Sequence, residues 1–371
     1  MQFTIKRDIL LKSLSLVQGI IEKKNTLPIL SNVLLIVREK KLEIVATDLD
    51  LIFYEEINQV NIIKEGSTTT SATILHDILR KLPSNSEIKF ELINENKLSL
   101  TTDNSDFNLM CLPKDNFPNF ADTFEGEELN VNKSKLLSLL NKTKIAISND
   151  DTRHYLNGIY LHLTESQNRT YLTGVATDSH RLSSSSIEIE NNLKINSLIL
   201  PKKTVFQLCN LLEDTSDKVL IQTSESKIQF KIGKVKLISK VIDGKFPDYR
   251  KVVPEGNDKK LTVLSKEFVE AIERVTTVSL DRKEGVKLIL NKDNIKLSVN
   301  STNSGEGNEV IKANFTSDEM IVSFNSKYLI DIASVVADKN IKMNLRDPIS
   351  PVIIEDMSDK NSFYVVMPMK I

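Results

Sequence analysis

The chain has 371 residues, 40% apolar and 27% charged, with a net charge of −1. It is too long for one ordinary core and predicts two or three domains of about 100–150 residues each. No apolar run approaches the roughly 20 residues of a membrane span, and Lys6, Arg7 and Asp8 break the N-terminus before a secretory pattern develops. The two cysteines, Cys111 and Cys209, and four scattered histidines lack C-x-x-C or H-x-x-x-H spacing, so the expectation is a cytoplasmic protein with reduced, buried thiols and no metal or cofactor.

In chain order, Phe3-Thr4-Ile5-Lys6-Arg7 begins an alternating strand that leads into an amphipathic helix with Ile9, Leu10, Leu14 and Val17 on one face. Leu129–Lys133 repeats this before Leu136, Leu137 and Leu140, and Leu261–Ser265 repeats it before Phe268, Val269 and Ile272; the offsets are 126 and 132 residues. The second half of each unit recurs as well. A helix over 71–82 stops at Pro83 and is followed by the alternating strand 87–92. Pro201 opens a helix through Leu212, followed by the strand 219–222, and a helix over 325–337 precedes the strand 341–345. Ala46-Thr47-Asp48 reappears as Ala176-Thr177-Asp178 at an offset of 130, and Phe117-Pro118-Asn119-Phe120 as Phe246-Pro247-Asp248-Tyr249 at 129. The chain thus reads as three copies of one α+β unit, two helices over an antiparallel sheet, with domains at 1–124, 125–256 and 257–371.

Asp178-Ser179-His180 contains the residue types of a hydrolase triad, but neighbours on an extended segment point to opposite faces and cannot form one. Asp48 lacks a nearby histidine, so the repeated acid is read as a turn former. Ser304-Gly305-Glu306-Gly307 lacks the Lys-Ser/Thr of a phosphate loop, and His76 and His162 read as surface or packing histidines. No nucleophile, metal or cofactor motif survives, and no enzyme is expected.

A simple nucleic-acid binder of this size would be basic. Here the charge is divided: the six predicted helices (5–13, 72–82, 133–144, 201–213, 265–276, 325–337) carry 14 Lys/Arg against 7 Asp/Glu, which leaves −8 on the remainder. Helices gathered on one surface would attract phosphate while the sheets repel it. The fifth, with Glu267, Glu270 and Glu273, fits that pattern poorly.

Five motifs carry a resemblance: Thr26-Leu27-Pro28-Ile29-Leu30, Arg153-His154-Tyr155-Leu156-Asn157-Gly158, Ala176–Leu182, Phe246-Pro247-Asp248-Tyr249-Arg250, and Tyr364–Ile371. In order and spacing they resemble the bacterial DNA polymerase III β subunit, the sliding clamp, over the whole chain. The resemblance implies a DNA-clamp fold and a homodimeric head-to-tail ring, with helices lining a hole for duplex DNA. The ring would slide without sequence specificity and tether the replicative polymerase catalytic subunit. The clamp loader, and repair and replication proteins carrying a Leu/Phe peptide, would be further partners.

It also implies a peptide pocket between the second and third domains, formed by Leu156, Thr177, Ser179, His180, Arg181, Leu182, Pro247, Lys251, Val252, Asn325, Tyr328, Ile349, Val365, Met367, Pro368 and Met369. Each buried anchor would contribute about 1.5–3 kcal/mol before association costs. Ser179 stands where the family also has Gly, Lys251 where Arg is common, and Lys370-Ile371 where Arg-Leu occurs, departures that bear on fine specificity. DNA contacts would come from Lys24, His154, Tyr155, Lys202 and Lys203, and ring closure from Phe107 and Leu109 against Thr277 and Val278. The alternative is a repeat-built peptide-binding scaffold that does not encircle DNA.

Overall fold

A computed structural model of the chain describes residues 1–21, 27–119, 124, 126–190, 195–213, 218–279, 285–301 and 304–370. The helices fall where hydrophobic periodicity placed them. They are α1 (Arg7–Val17), α2 (Ala72–Lys81), α3 (Lys133–Lys144), α4 (Lys202–Glu213), α5 (Ser265–Thr276) and α6 (Ser326–Ala333).

Two boundaries differ from expectation, each because a competing hydrogen bond wins. Ile5 and Lys6 pair with Ile88 and Glu87 in a sheet, so α1 begins at Arg7 and runs on to Val17. The N–H of Ala337 goes to the Asp356 carboxylate (3.1 Å), and α6 closes at Ala333. Caps explain other ends. The Ser71 hydroxyl accepts from Ile74 N at the start of α2. Leu82, before Pro83, is extended (φ −68°, ψ 151°), as a residue preceding proline prefers. Arg7 donates from Nε to Leu79 O (2.6 Å) and from Nη2 to Arg80 O (3.1 Å), satisfying carbonyls at the end of α2.

The chain forms two compact units. The first comprises 1–134, 193–196 and 203–241; the second comprises 135–192, 197–202 and 242–371. In the first, one 13-stranded antiparallel sheet runs from Glu127–Asn132 at one edge to Asn61–Lys64 at the other. In the second are a nine-stranded sheet and a four-stranded sheet, Gly305–Lys312 forming one edge of the latter. The helices pack on these sheets. Gly174 lets α3 approach, since a Cβ there would lie 2.7 Å from Leu139 Cδ2, and Thr204 of α4 hydrogen-bonds Ser239 (2.7 Å). The architecture is the expected α+β one.

The units cut the middle copy in two because strands of neighbouring copies share sheets. In the first unit Leu51–Ile57 pairs with Val235–Lys240, Leu51 opposite Ser239. In the second, Arg181–Ile189 pairs with Ser362–Val366, Arg181 opposite Val366. The offsets between the two seams are 130 and 127 residues, so the repeat extends to strand register. The same hydrophobic cluster sits at both. Ile29, Leu30, Val45, Ile52 and Phe117 fill the first; Leu156, Val175, Leu182, Ile199, Phe246 and Val365 fill the second.

Candidate functional site

The Ala-Thr-Asp repeats build two matching hairpin turns. Asp178 Oδ1 accepts from His180 N (3.0 Å) and Arg181 N (2.9 Å), and Thr177 Oγ1 accepts from Ser179 N (3.1 Å). Asp48 Oδ1 accepts from Asp50 N (3.0 Å) and Leu51 N (2.7 Å), and Thr47 Oγ1 from Leu49 N (2.9 Å). Each turn drives its third residue into left-handed backbone, Ser179 at φ 75° and Leu49 at φ 81°. The acid is a turn former in both copies, and the triad geometry is absent.

What differs is the second carboxylate oxygen. Asp48 Oδ2 takes Lys203 Nζ (2.5 Å). Asp178 Oδ2 takes Arg181 Nε (3.1 Å), and Arg181 Nη1 reaches Asp331 on α6 (2.7 Å). The Arg181 guanidinium also lies over the Tyr328 ring, 4.3 Å from its centroid. Burial, then the Asp178 charge, raises the Tyr328 phenol above its ordinary pKa. Arg181 is only 8% exposed. It therefore braces the turn against α6 rather than offering its fork to a ligand. Asp331 is a site residue that the sequence reading missed; its i,i+4 spacing from Lys327, with which it pairs (2.9 Å), was the available signal.

The C-terminal tail docks on this turn. Beyond the strand Ser362–Val366, Met367 N donates to His180 O (2.9 Å) and Met369 N to Ser323 O (2.7 Å). Leu156, Leu182 and Val365 are buried in the cluster beneath. Above them the side chains are open: His180, Ser179 and Pro247 are exposed, Val252 and Met367 are 54% and 42% exposed, and Met369 38%. Phe246 anchors the Pro247 segment in the cluster, and Tyr249 packs against it. Lys251 and Val252 ride on the short 3-10 turn Tyr249–Val252. Asn325 caps α6 through Lys327 N (3.0 Å), two residues after the Ser323 that receives the tail. Ile349, 74% exposed, sits on a separate turn where Asp347 accepts its N–H (3.0 Å).

The residues expected to face DNA are less open than their types suggest. Lys24 lies outside the described residues. His154 is exposed, with Nε2 3.1 Å from Asp243 O. Tyr155 packs against the apolar cluster. Lys202 donates to Asn149, and Lys203 is held by Asp48 and by Ile20 O (2.8 Å). Of the expected ring-closure residues, Leu109 is buried and Phe107 half-buried on the strand Asp106–Leu112, which on one side pairs only through Cys111 and Leu112. Thr277 and Val278 follow α5, whose Val275 carbonyl lies so near Gly307 that a Cβ there would come within 2.6 Å. They therefore stand near the edge strand Gly305–Lys312.

No helix of the described residues is long and apolar enough to cross a membrane, and no cluster of metal-ligating side chains occurs among them. The chain matches family models of the DNA polymerase III beta subunit throughout: the N-terminal domain over residues 1–121, the central domain over 130–248 and the C-terminal domain over 250–370. A beta sliding clamp of Caulobacter vibrioides is 36% identical over 374 residues, covering all of both chains. A sliding clamp from Bartonella birtlesii bound to griselimycin has a TM-score of 0.96 at 40% identity, again with both chains fully covered. A Caulobacter crescentus clamp, with polyethylene glycol at a proposed β-motif tethering region, has a TM-score of 0.95 at 35% identity, over 100% of this chain and 99% of that one.

Proposed function

This chain belongs to the DNA polymerase III β subunit family, the β sliding clamps, and from that premise we propose a role without chemistry, as a cytoplasmic processivity factor that needs no cofactor. Three domains, 1–124, 125–256 and 257–371, from each of two protomers close into a ring around duplex DNA. The ring tethers the replicative polymerase, the loader and other Leu/Phe-peptide partners through the groove at the second seam. Topology does the holding, so contacts to DNA are few, non-specific and directed to phosphate. Lys24, His154, Tyr155, Lys202 and Lys203 are the proposed DNA-facing set. Lys203 contributes least, since Asp48 already neutralises it.

The docking half of this reading rests on the contrast between the two seams. Where Met367 N meets His180 O in the second, Lys240 N meets Asp50 O (2.8 Å) in the first. There the side chains of Lys240 and Asp50 form an ion pair (2.8 Å). The same scaffold thus ends in exposed methionines at one seam and in charges at the other. An apolar rim over an apolar floor suits short peptides with Leu and Phe anchors, and methionine adapts to varied ones.

The test has two arms. Loaded on a nicked circle, the protein should remain bound through high salt and leave when the circle is linearised; an electrostatic binder would instead leave as salt rises, and that outcome would favour the scaffold without a ring. Deleting Met367–Ile371 should abolish binding of a Leu/Phe peptide in a folded protein, and unchanged affinity would remove the groove assignment.

A further inference from the structure

We propose that His162 is a positioning residue for the docking groove, acting through Tyr249; the inference rests on the docking function above. His162 lies on the strand Gly158–Ser166 and is 7% exposed. Tyr160, two residues earlier and on the same face of the strand, stacks on the His162 ring at 4.5 Å. Tyr160 in turn stacks on Phe246 at 4.9 Å with the rings 5° from parallel. The column His162–Tyr160–Phe246 thus ends on the residue before Pro247. Three residues past Phe246 the chain returns: the Tyr249 hydroxyl is 3.1 Å from His162 Nε2, and its ring meets the imidazole edge-on at 5.6 Å.

The segment Phe246–Tyr249 is therefore gripped at both ends by one strand. Pro247 stands exposed between the grips, and Lys251 and Val252 directly after them. Other fastening is slight. The 3-10 turn Tyr249–Val252 has no side-chain cap, and its backbone bonds from Lys251 N to Asp248 O and from Val253 N to Arg250 O are both 3.3 Å. The His162–Tyr249 bond is the polar link that fixes where this rim sits.

The first copy supplies the comparison. At the repeat offsets of 126 and 129, Ile36 stands for His162, Leu34 for Tyr160 and Phe120 for Tyr249. A position that only packed would be served by isoleucine, as there. In the docking copy the chain instead buries an imidazole whose Nδ1 makes no full hydrogen bond, only a weak contact with the Tyr160 backbone, a cost that position 36 avoids. Burial, and then the Arg250 charge, keeps the ring neutral, so Nε2 can share a proton with the phenol.

The experiment measures the affinity of the full chain for a labelled peptide with Leu and Phe anchors. His162→Phe keeps a ring in the column without the hydrogen bond, and Tyr249→Phe removes the other partner. Each should weaken binding about three- to tenfold, the scale of one lost hydrogen bond. The double variant should be no weaker than either single one. His162→Gln, whose amide reaches the Nε2 position, should recover most of the loss. Failure of the wild type to bind the peptide, or binding that survives deletion of Met367–Ile371, would count against the docking reading itself. If both of those controls hold, wild-type affinity in Tyr249→Phe, additive losses, or no recovery in His162→Gln overturns the role of His162. Tyr249→Phe removes one hydroxyl oxygen, so it decides the matter even if the histidine variants do not fold.

Discussion

At two equivalent positions a non-glycine side chain is held in left-handed backbone, and the two differ in what they gain from it. Leu49, at φ 81°, is exposed and its side chain has no hydrogen-bonding group. Ser179, at φ 75°, receives Arg153 Nη1 on its hydroxyl at 2.6 Å. Leu49→Gly should therefore stabilise the first unit by about 0.5–1 kcal/mol, the left-handed penalty less glycine's extra unfolded-state entropy. Ser179→Gly should gain less or nothing, because it gives up a charge-assisted hydrogen bond. Urea midpoints of the two variants would show the order, and a larger gain for Ser179→Gly would contradict it.

His162 permits a prediction about pH. Burial and the Arg250 charge lower its pKa from 6.5 to about 4 in the folded chain. Between those values the unfolded chain binds the extra proton and the folded chain does not, so stability falls as pH drops from about 6.5 towards 4. Below that range the native ring protonates too and the loss from this group ends. His162→Phe removes the term, so its urea midpoint should fall less steeply than the wild type's between pH 7 and pH 5. Parallel slopes would show that the ring is not held neutral. The sequence offered His162 only as a surface or packing histidine, because neither Tyr249 nor Phe246 is near it in the chain.

At the scale of elements, periodicity found all six α-helices of the described residues, and the repeats found the strands that flank them. Strand pairing between copies was not legible, since alternation shows which face is buried but not which edge meets which. Helix charge was legible only as a count. Several of the 14 cations counted on the helices are engaged internally, among them Arg7 on α2 carbonyls, Lys203 on Asp48, and Lys142 in the interior. Lys142, on α3, donates to Asp356 (3.1 Å) and Asp359 (2.7 Å) of the last copy, while Ser183 Oγ donates to the Lys142 carbonyl (2.6 Å). Burial alone would raise the pKa of either acid; their hydrogen bonds, including those from Lys142, lower it instead. Both acids are thus ionised, and removing their cation strands two charges. Lys142→Met should destabilise the second unit by roughly 3–5 kcal/mol, far more than an exposed lysine would. A fall in melting temperature no greater than that of Lys266→Met, whose lysine is 88% exposed, would refute the strut.

For the whole molecule, triplication and family were both legible from motifs, whereas closure depends on edges that no motif marks. Two of the strand edges left open among the described residues bear on closure. One is Asp106–Leu112, unpaired over 106–110 on one side; the other is the outer side of Gly305–Lys312. Open edges invite pairing with another chain, and these two lie in different copies, as head-to-tail closure requires. The apolar residues beside them agree with this. Met110 is 77% and Val310 61% exposed, while Phe107 is half-buried on the face that carries Leu109. If the edge of one protomer adds to that of its partner, each ring contains the junction twice, and one substitution strikes both. The native protein should therefore have a solution mass of twice 41.9 kDa. Phe107→Asp places a carboxylate where apolar surface would close, and should reduce the mass to that of one chain while the circular dichroism spectrum stays unchanged. It should also abolish retention on circular DNA while leaving peptide binding intact, because the groove lies wholly within the second unit. A native monomer, or a Phe107→Asp dimer that still holds a circle, would place ring closure elsewhere on the molecule.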